Sequence, residues 1–521
     1  GATAGAIAGA GTLAVNTGAT LSFDRDGPIT LGAIGGTGGT LRRAGGSGAL
    51  TLGGTAPNIT AVQIDTGSFV LADGSNNRLG NSASVTVATG ATFTTGNQAE
   101  QIGTLTLAGT LSGASTLTAG TYALQPGALV SSAIGDGALT VSGAGSATLN
   151  ATAGVGTVNV GNGSTLALGA SSNLAGSADV TVATGGTLTL GRNDTIDDLT
   201  LAGTLNGAFT LTASGGTTFQ AGGRIEFGTI LAGGTLTTTG DATLAGRYDG
   251  GLVRINSGGI LRLSADVIPS GGHIVDTANM QLLAGGTIQL ELDETVNQLT
   301  GSGTVLGPGQ LFSSVYVLDD DCVYNLSTGT LGSRNASRIN GNVSVTGTAT
   351  VETGTLTVGN GNNGGTLTAG GGIVVNAGAV LAYSRNGTVT TAQAISGDGT
   401  LRQTGGNSGT GELQITGTAL TALVDVAGGT LSLAAGNDNR LSDTAAVTVA
   451  SGRTLRLDNA GETIGTLNLA GTLSGVGALT ATTYNLSAGA TANVALGTGT
   501  LNVAGNSALR GTAGVSAVNV N

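Results

Sequence analysis

Apolar and polar residues alternate with a period of two along almost the whole chain. Val85-Thr86-Val87, Leu105-Thr106-Leu107, Leu188-Thr189-Leu190, Leu356-Thr357-Val358 and Leu501-Asn502-Val503 are typical. That period predicts short β-strands with Ala, Val, Leu or Ile on one face and Thr, Ser or Asn on the other. Each run lasts about 4 to 6 residues, and Gly-rich turns such as Ala108-Gly109 and Asn206-Gly207 punctuate the chain at intervals of roughly 8 to 12. No helical period competes.

The alternation is organised into repeats. Asn77 to Gly113 reads NRLGNSASVTVATGATFTTGNQAEQIGTLTLAGTLSG. Asn173 to Gly207 reads NLAGSADVTVATGGTLTLGRNDTIDDLTLAGTLNG, and Asn439 to Gly475 reads NRLSDTAAVTVASGRTLRLDNAGETIGTLNLAGTLSG. Val85, Val180 and Val447 occupy equivalent places, 95 and 267 residues apart, which gives a module of roughly 90 to 100 residues. A partial copy, ETVNQLTGSGTV, runs from Glu294 to Val305. A longer cycle overlies the module: Asn77-Arg78-Leu79 and Thr121-Tyr122 recur 362 residues later, and Phe23 and Arg25 match Tyr383 and Arg385 at an offset of 360.

Short strands, tight turns and repetition predict an all-β parallel β-solenoid, a rod built from degenerate repeats whose coils stack along one axis. Each coil pairs its backbone with the coils above and below, so a narrow core of Ala, Val, Leu and Ile columns suffices and wide aromatics are not expected inside. Gly supplies the positive φ of the corners. With coils of roughly 20 to 25 residues, the chain makes about 20 to 26 of them. The competing fold is an array of β-sandwiches, one per module, although their cores usually carry Trp or Tyr anchors. Repeat strength divides the chain into solenoid repeats at 1–207, a divergent solenoid section at 208–345 that is a possible interaction region, and solenoid repeats again at 346–521.

Composition narrows the function. Glycine accounts for 98 of 521 residues, charged residues for 9% and aromatics for 2%, with one His, one Cys, no Trp and no Lys. Pro totals 5 without a three-residue period, which excludes collagen, and 39% hydrophobic content argues against disorder. No apolar run reaches the ~18 residues of a membrane span. Net charge is −12, and dispersed Arg residues, with Arg42-Arg43 the only adjacent pair, argue against nucleic-acid binding. Cys322 alone excludes an intramolecular disulfide and Cys-rich metal sites. Gly1 to Ala10 has no charged start of a signal peptide, so the expectation is a processed chain or a section of a longer one.

Two stretches, GGTLSLAAGNDNRLSDTAAVTVASGRTLRLDNAGETIGTLNLAGTLSG (Gly428 to Gly475) and TYNLSAGATANVALGTGTLNVAGNSALRGTAGVSAVNV (Thr483 to Val520), closely resemble repeats of large Gram-negative surface adhesins. They look like the filamentous-haemagglutinin type exported by two-partner secretion, and like the β-strand repeats associated with autotransporter passengers. The resemblance covers most of the chain and is weakest at 208 to 345. It implies a right-handed parallel β-helix, an outer-membrane translocation partner, and adhesion, aggregation or biofilm-matrix roles outside the cell. The implied partners are exopolysaccharide, cell-surface glycans or further copies of the chain.

Chemistry-bearing residues are few. Asp319-Asp320-Asp321, beside Cys322, forms the one dense acidic cluster, and its hard oxygens make it a weak Ca²⁺ candidate against a solvated loop. Phe312, Tyr316, Tyr324 and His273 share that divergent section, which is where an interaction surface is sought; the alternative is a decayed repeat. Asp24-Arg25-Asp26-Gly27 starts like a calcium loop but lacks the later ligands, so it reads as a turn. Gly361 to Gly365 and Gly370 to Gly372 lack any GK[ST] ending and read as corners. Solenoids also host lyases and glycosidases, to whose chemistry the carboxylates of Asp197-Asp198 and Asp319 to Asp321 could in principle contribute. The other copies have Gly103-Thr104 and Gly465-Thr466 where Asp197-Asp198 stands, and the chain is poor in aromatic sugar platforms. Thr-x-Thr steps suggest ice or surface binding, but their spacing is irregular. The expected function is a non-enzymatic structural adhesin with no catalytic residues and no cofactor beyond that Ca²⁺ candidate.

Overall fold

The computed structural model describes residues 13–521 except 172, 267–271, 310, 319–322, 327–330, 437 and 460, and for 323–326 the backbone alone. Among the described residues there is no helix, and so none long and apolar enough to cross a membrane. The chain is all β, with parallel strands stacked as a β-solenoid of about 26 turns. It forms two compact units, Gly1–Gly251 and Leu252–Asn521.

Period-two alternation becomes inward columns. In the first unit Leu41 stacks on Val62, Val62 on Val85, Val85 on Leu105, Leu105 on Tyr122, Tyr122 on Leu139, Leu139 on Val158 and Val158 on Val180. In the second unit the series Leu356, Leu381, Leu401, Val424, Val447, Leu467, Tyr484 and Leu501 does the same. All these side chains are buried, and each contributes on the order of 1.5–3 kcal/mol of hydrophobic stabilisation. Val85 and Val180 are separated by four intervening rungs of one unbroken ladder. The module seen in sequence is therefore a run of coils sharing one core, and the sandwich array does not form. Coil length varies: partners are 17 residues apart where Thr466 meets Thr483 and 27 apart where Leu252 meets Asn279.

Aromatic rings do enter the core, which corrects the expectation from composition. Tyr122, Tyr248, Tyr316, Tyr484, Phe69, Phe93 and Phe219 are among the largest fully buried side chains. Phe69 stacks in register on Phe93 with ring centroids 6.2 Å apart. Glycine makes room for others: a Cβ on Gly137 would sit 3.0 Å from the Tyr122 ring. The phenols also find partners at the corners. Tyr122 donates to the Leu117 carbonyl at 2.9 Å, Tyr316 to that of Leu311 at 2.6 Å and Tyr484 to that of Leu479 at 2.9 Å. Tyr122 and Tyr484 also accept the amides of Ala119 and Ala481, each at 2.8 Å.

The Thr-Leu-Ser-Gly that ends a repeat has a steric reason. Gly475 sits at φ +118°, and a Cβ there would lie 2.0 Å from the Leu457 carbonyl oxygen of the coil below. Gly475→Ala is expected to lose about 1–3 kcal/mol through backbone strain, measured as a fall in the urea midpoint of the second unit.

Outward faces carry polar ladders. Asn485 donates to Asn468, Asn502 to Asn485 and Asn519 to Asn502, each Nδ2–Oδ1 distance being 2.8 Å. One ladder is interrupted. Thr366–Ala369 pairs with Asn342–Val345, and Thr388–Thr391 pairs with Glu412–Ile415, but these two strands of successive coils do not pair with each other.

Candidate functional site

The chemically richest positions are four corners of the repeat, where a carboxylate of one coil meets the backbone of the coil before it. Glu100 accepts the amides of Arg78 and Leu79, both at 2.8 Å. Glu462 accepts those of Arg440 and Leu441 at 3.0 and 2.8 Å. Glu294 accepts those of His273 and Ile274 at 2.9 and 3.1 Å, and Asp194 that of Leu174 at 2.9 Å. All four carboxylates are buried. Burial raises every one of their pKa values, while the amide bonds oppose the rise. Glu294 is pushed furthest, to about 7, with nearby Asp276 adding to the effect of burial; at Glu100 the charge of Arg78 works the other way.

The preceding coil answers with a cation. Arg78 donates to the carbonyls of Ala72 at 2.6 Å, Asp73 at 2.6 Å, Gly54 at 3.0 Å and also Gly53. Arg440 reproduces the pattern on Ala434, Ala435, Gly417 and Thr416. Asn77 and Asn439, at φ 48° and 53°, take the left-handed turn before each arginine, a conformation that asparagine tolerates better than most residues. His273 stands where two of the other copies have arginine and the third has Asn173; it is buried, with Nε2 3.0 Å from the Ser264 carbonyl. These side chains stitch successive coils together, which is a structural role, and Asp194 also borders the groove around Asn173 and Arg192.

The divergent section therefore does not present the surface expected of it through His273 or Tyr316, both buried corner residues. Phe312 is half-buried against Gly332, and the Tyr324 side chain is outside the description. Asp319, Asp320, Asp321 and Cys322 lie outside the described residues. Asp24-Arg25-Asp26-Gly27 closes a turn in which Asp26 accepts the Ser47 amide at 3.2 Å.

The carboxylate pair at Asp197-Asp198 gains a third member. Asp179, one coil earlier, lies close enough that one oxygen from each of the three groups falls within 4.8 Å of the others. All three are exposed. Ser214 donates to Asp197 at 3.4 Å and to the Ile196 carbonyl at 3.0 Å. Gly215 leaves the carboxylates room, since a Cβ there would lie 2.4 Å from Asp198 Oδ1. Beside Asp198 a shallow groove of about 240 Å³ is lined by Leu199, Gly215, Gly216 and several threonines. A larger one of about 440 Å³ surrounds Asn173, Arg192, Asn193 and Thr210. Neither groove has an aromatic wall, and the carboxylates face water from an open ladder. Glycosidase chemistry needs one carboxyl kept protonated by an apolar setting and its partner at fixed separation; this arrangement supplies closeness without the apolar setting. Three hard oxygens are also the donor set for a divalent cation.

Comparison with protein-family models, with curated proteins and with solved structures gives no match.

Proposed function

We propose that the protein is a structural extracellular adhesin whose stacked coils present repeated polar faces to exopolysaccharide, to cell-surface glycans or to further copies of the chain. The observation that carries this reading is the recurrence of the same short polar side chains at ladder spacing, coil after coil, as in the Asn468, Asn485, Asn502 and Asn519 series. Individually weak contacts repeated at fixed spacing gain strength by avidity. The resemblance of the repeats to two-partner-secreted adhesins and autotransporter passengers supports export to the surface or biofilm matrix of a Gram-negative bacterium through an outer-membrane partner. The buried charges serve coil stacking, which fits a scaffold.

The test separates distributed from localised function. Deleting whole coils in steps is expected to lower aggregation of cells displaying the protein progressively. Asp197→Asn with Asp198→Asn is expected to leave aggregation unchanged, and to raise stability by a few tenths of a kcal/mol by relieving like-charge repulsion near Asp179. Hydrolysis or eliminative cleavage of a polysaccharide that disappears in this double variant would overturn the adhesin in favour of a β-helical lyase or glycosidase.

A further inference from the structure

The interrupted ladder of the second unit opens a cavity of about 360 Å³, lined among others by Leu367, Thr368, Tyr383, Arg385, Val389 and Gln393. Its flanks remain stacked: Ala349–Val351 pairs with Ile373–Val375 and Thr355–Val358 with Val380–Tyr383. The gap is thus a wedge opened between two coils that stay one strand spacing apart elsewhere.

The edges of this wedge are defined by ladder alternation. The Thr366 amide bonds the Gly341 carbonyl at 3.0 Å and the Gly370 amide that of Val345 at 2.9 Å, so the amide and carbonyl of Leu367 turn into the gap. From the other side the Glu412 amide bonds the Gly387 carbonyl at 2.7 Å and the Thr416 amide that of Thr391 at 2.9 Å, so Thr388 and Thr390 turn theirs into the gap. Two side chains close its ends. Gln393 Oε1 accepts the Ala369 amide at 2.9 Å, and Arg385 Nη1 donates to the Gly365 carbonyl at 2.9 Å.

Two buried polar atoms lining the wedge have no protein partner: the Tyr383 hydroxyl and Arg385 Nε. Tyr383 is 3% exposed. Thr391 is the side chain beside its hydroxyl, and the hydroxyl lacks the well-placed carbonyl that receives Tyr122, Tyr316 and Tyr484. An unsatisfied buried hydroxyl is costly, and Phe23 occupies the equivalent place 360 residues earlier without one.

We infer that this wedge is a binding site for a neutral saccharide of about disaccharide size. The chemistry selects the class. Backbone donors and acceptors alternate along both edges, so the ligand must offer both, as sugar hydroxyls do, whereas an anion would meet the carbonyl oxygens. Leu367 and half-exposed Val389 supply an apolar floor for the C–H face of a ring. The volume falls in the small-molecule range. An extended peptide would have to run out through both ends of the gap, which Gln393 and Arg385 close, whereas a short saccharide fits between them. This site rests on the glycan-binding form of the adhesin reading and gives it a location.

The probes are cellobiose, lactose and maltose, titrated into the whole chain and followed by saturation-transfer NMR and calorimetry, with sulfate and an extended Thr-Val-Thr-Leu peptide as controls. At least one disaccharide is expected to saturate. Tyr383→Phe is expected to weaken it at least tenfold with an unchanged or raised melting temperature, and Thr368→Trp to abolish it by filling the wedge. No saturation by any of the three, binding of sulfate or peptide instead, or binding that survives both substitutions would overturn the inference. Cell aggregation measured in parallel keeps the two readings apart. Aggregation without disaccharide binding sinks this site alone, and disaccharide binding without aggregation upholds the site and sinks the adhesin.

Discussion

Replacing Arg440 with Met is expected to destabilise the second unit by about 3–5 kcal/mol, because the buried carbonyls that share its guanidinium each cost on the order of 1–3 kcal/mol when left without a donor. Arg440 is 3% exposed and its guanidinium bonds four carbonyls, with Nε 2.7 Å from Ala434, Nη1 2.8 Å from Gly417 and Nη2 3.0 Å from Ala435. Thr416, the fourth, shares Nη1. Methionine fills similar volume but offers no donor, so those acceptors lose their partner while remaining buried. Arg440→Lys should recover only part of the loss, because one compact ammonium cannot span carbonyls from two coils as a planar fork does. The check is urea unfolding with hydrogen exchange. The amides of Arg440 and Leu441, clasped by Glu462, should lose protection before those of Val447 and Leu467 two strands on. A variant whose stability and exchange match the parent within about 0.5 kcal/mol would show that water replaces the guanidinium at no cost, and would remove the clasp from the account of coil stacking.

How much of this was readable in the sequence depends on range. The strand period and the repeats were plain, because side-chain alternation and Gly-rich corners are local, and the copies around Val85, Val180 and Val447 stack as expected. The clasps were missed although a signal existed: Glu100, Asp194, Glu294 and Glu462 occupy the same place in four copies, two residues before Ile102, Ile196, Val296 and Ile464. A recurring carboxylate in a chain with so few charges marks a structural role, yet its partners lie 20 to 22 residues earlier, one coil away. Composition misled about aromatics, since a low count says nothing of where the few rings go; Tyr122 and Tyr484 recur because their hydroxyls close a corner. The wedge at Tyr383 was illegible. Nothing in Thr366–Ala369 or Thr388–Thr391 announces that two alternating strands of neighbouring coils fail to pair.

Acidification is expected to tighten the corner around Glu294, the reverse of what salt-bridged carboxylates do. Its folded pKa is about 7 against an ordinary 4.5, chiefly because burial disfavours the charged form. A carboxyl raised in this way contributes stability that is complete below pH 4.5 and is lost as the pH climbs through 7. The difference between those limits is about 3 kcal/mol. Glu100, Asp194 and Glu462 shift in the same direction, so they add to the trend instead of cancelling it. The direct measurement is exchange of the His273 and Ile274 amides, which Glu294 holds. After correction for intrinsic rates, their opening should be on the order of a hundredfold rarer at pH 4.5 than at pH 8. Glu294→Gln keeps the shape, removes the titration and should flatten the profile across that window. Protection that rises with pH in the parent would mean that the amide bonds to the carboxylate outweigh its desolvation, and the clasp would then be a charge the fold prefers to keep.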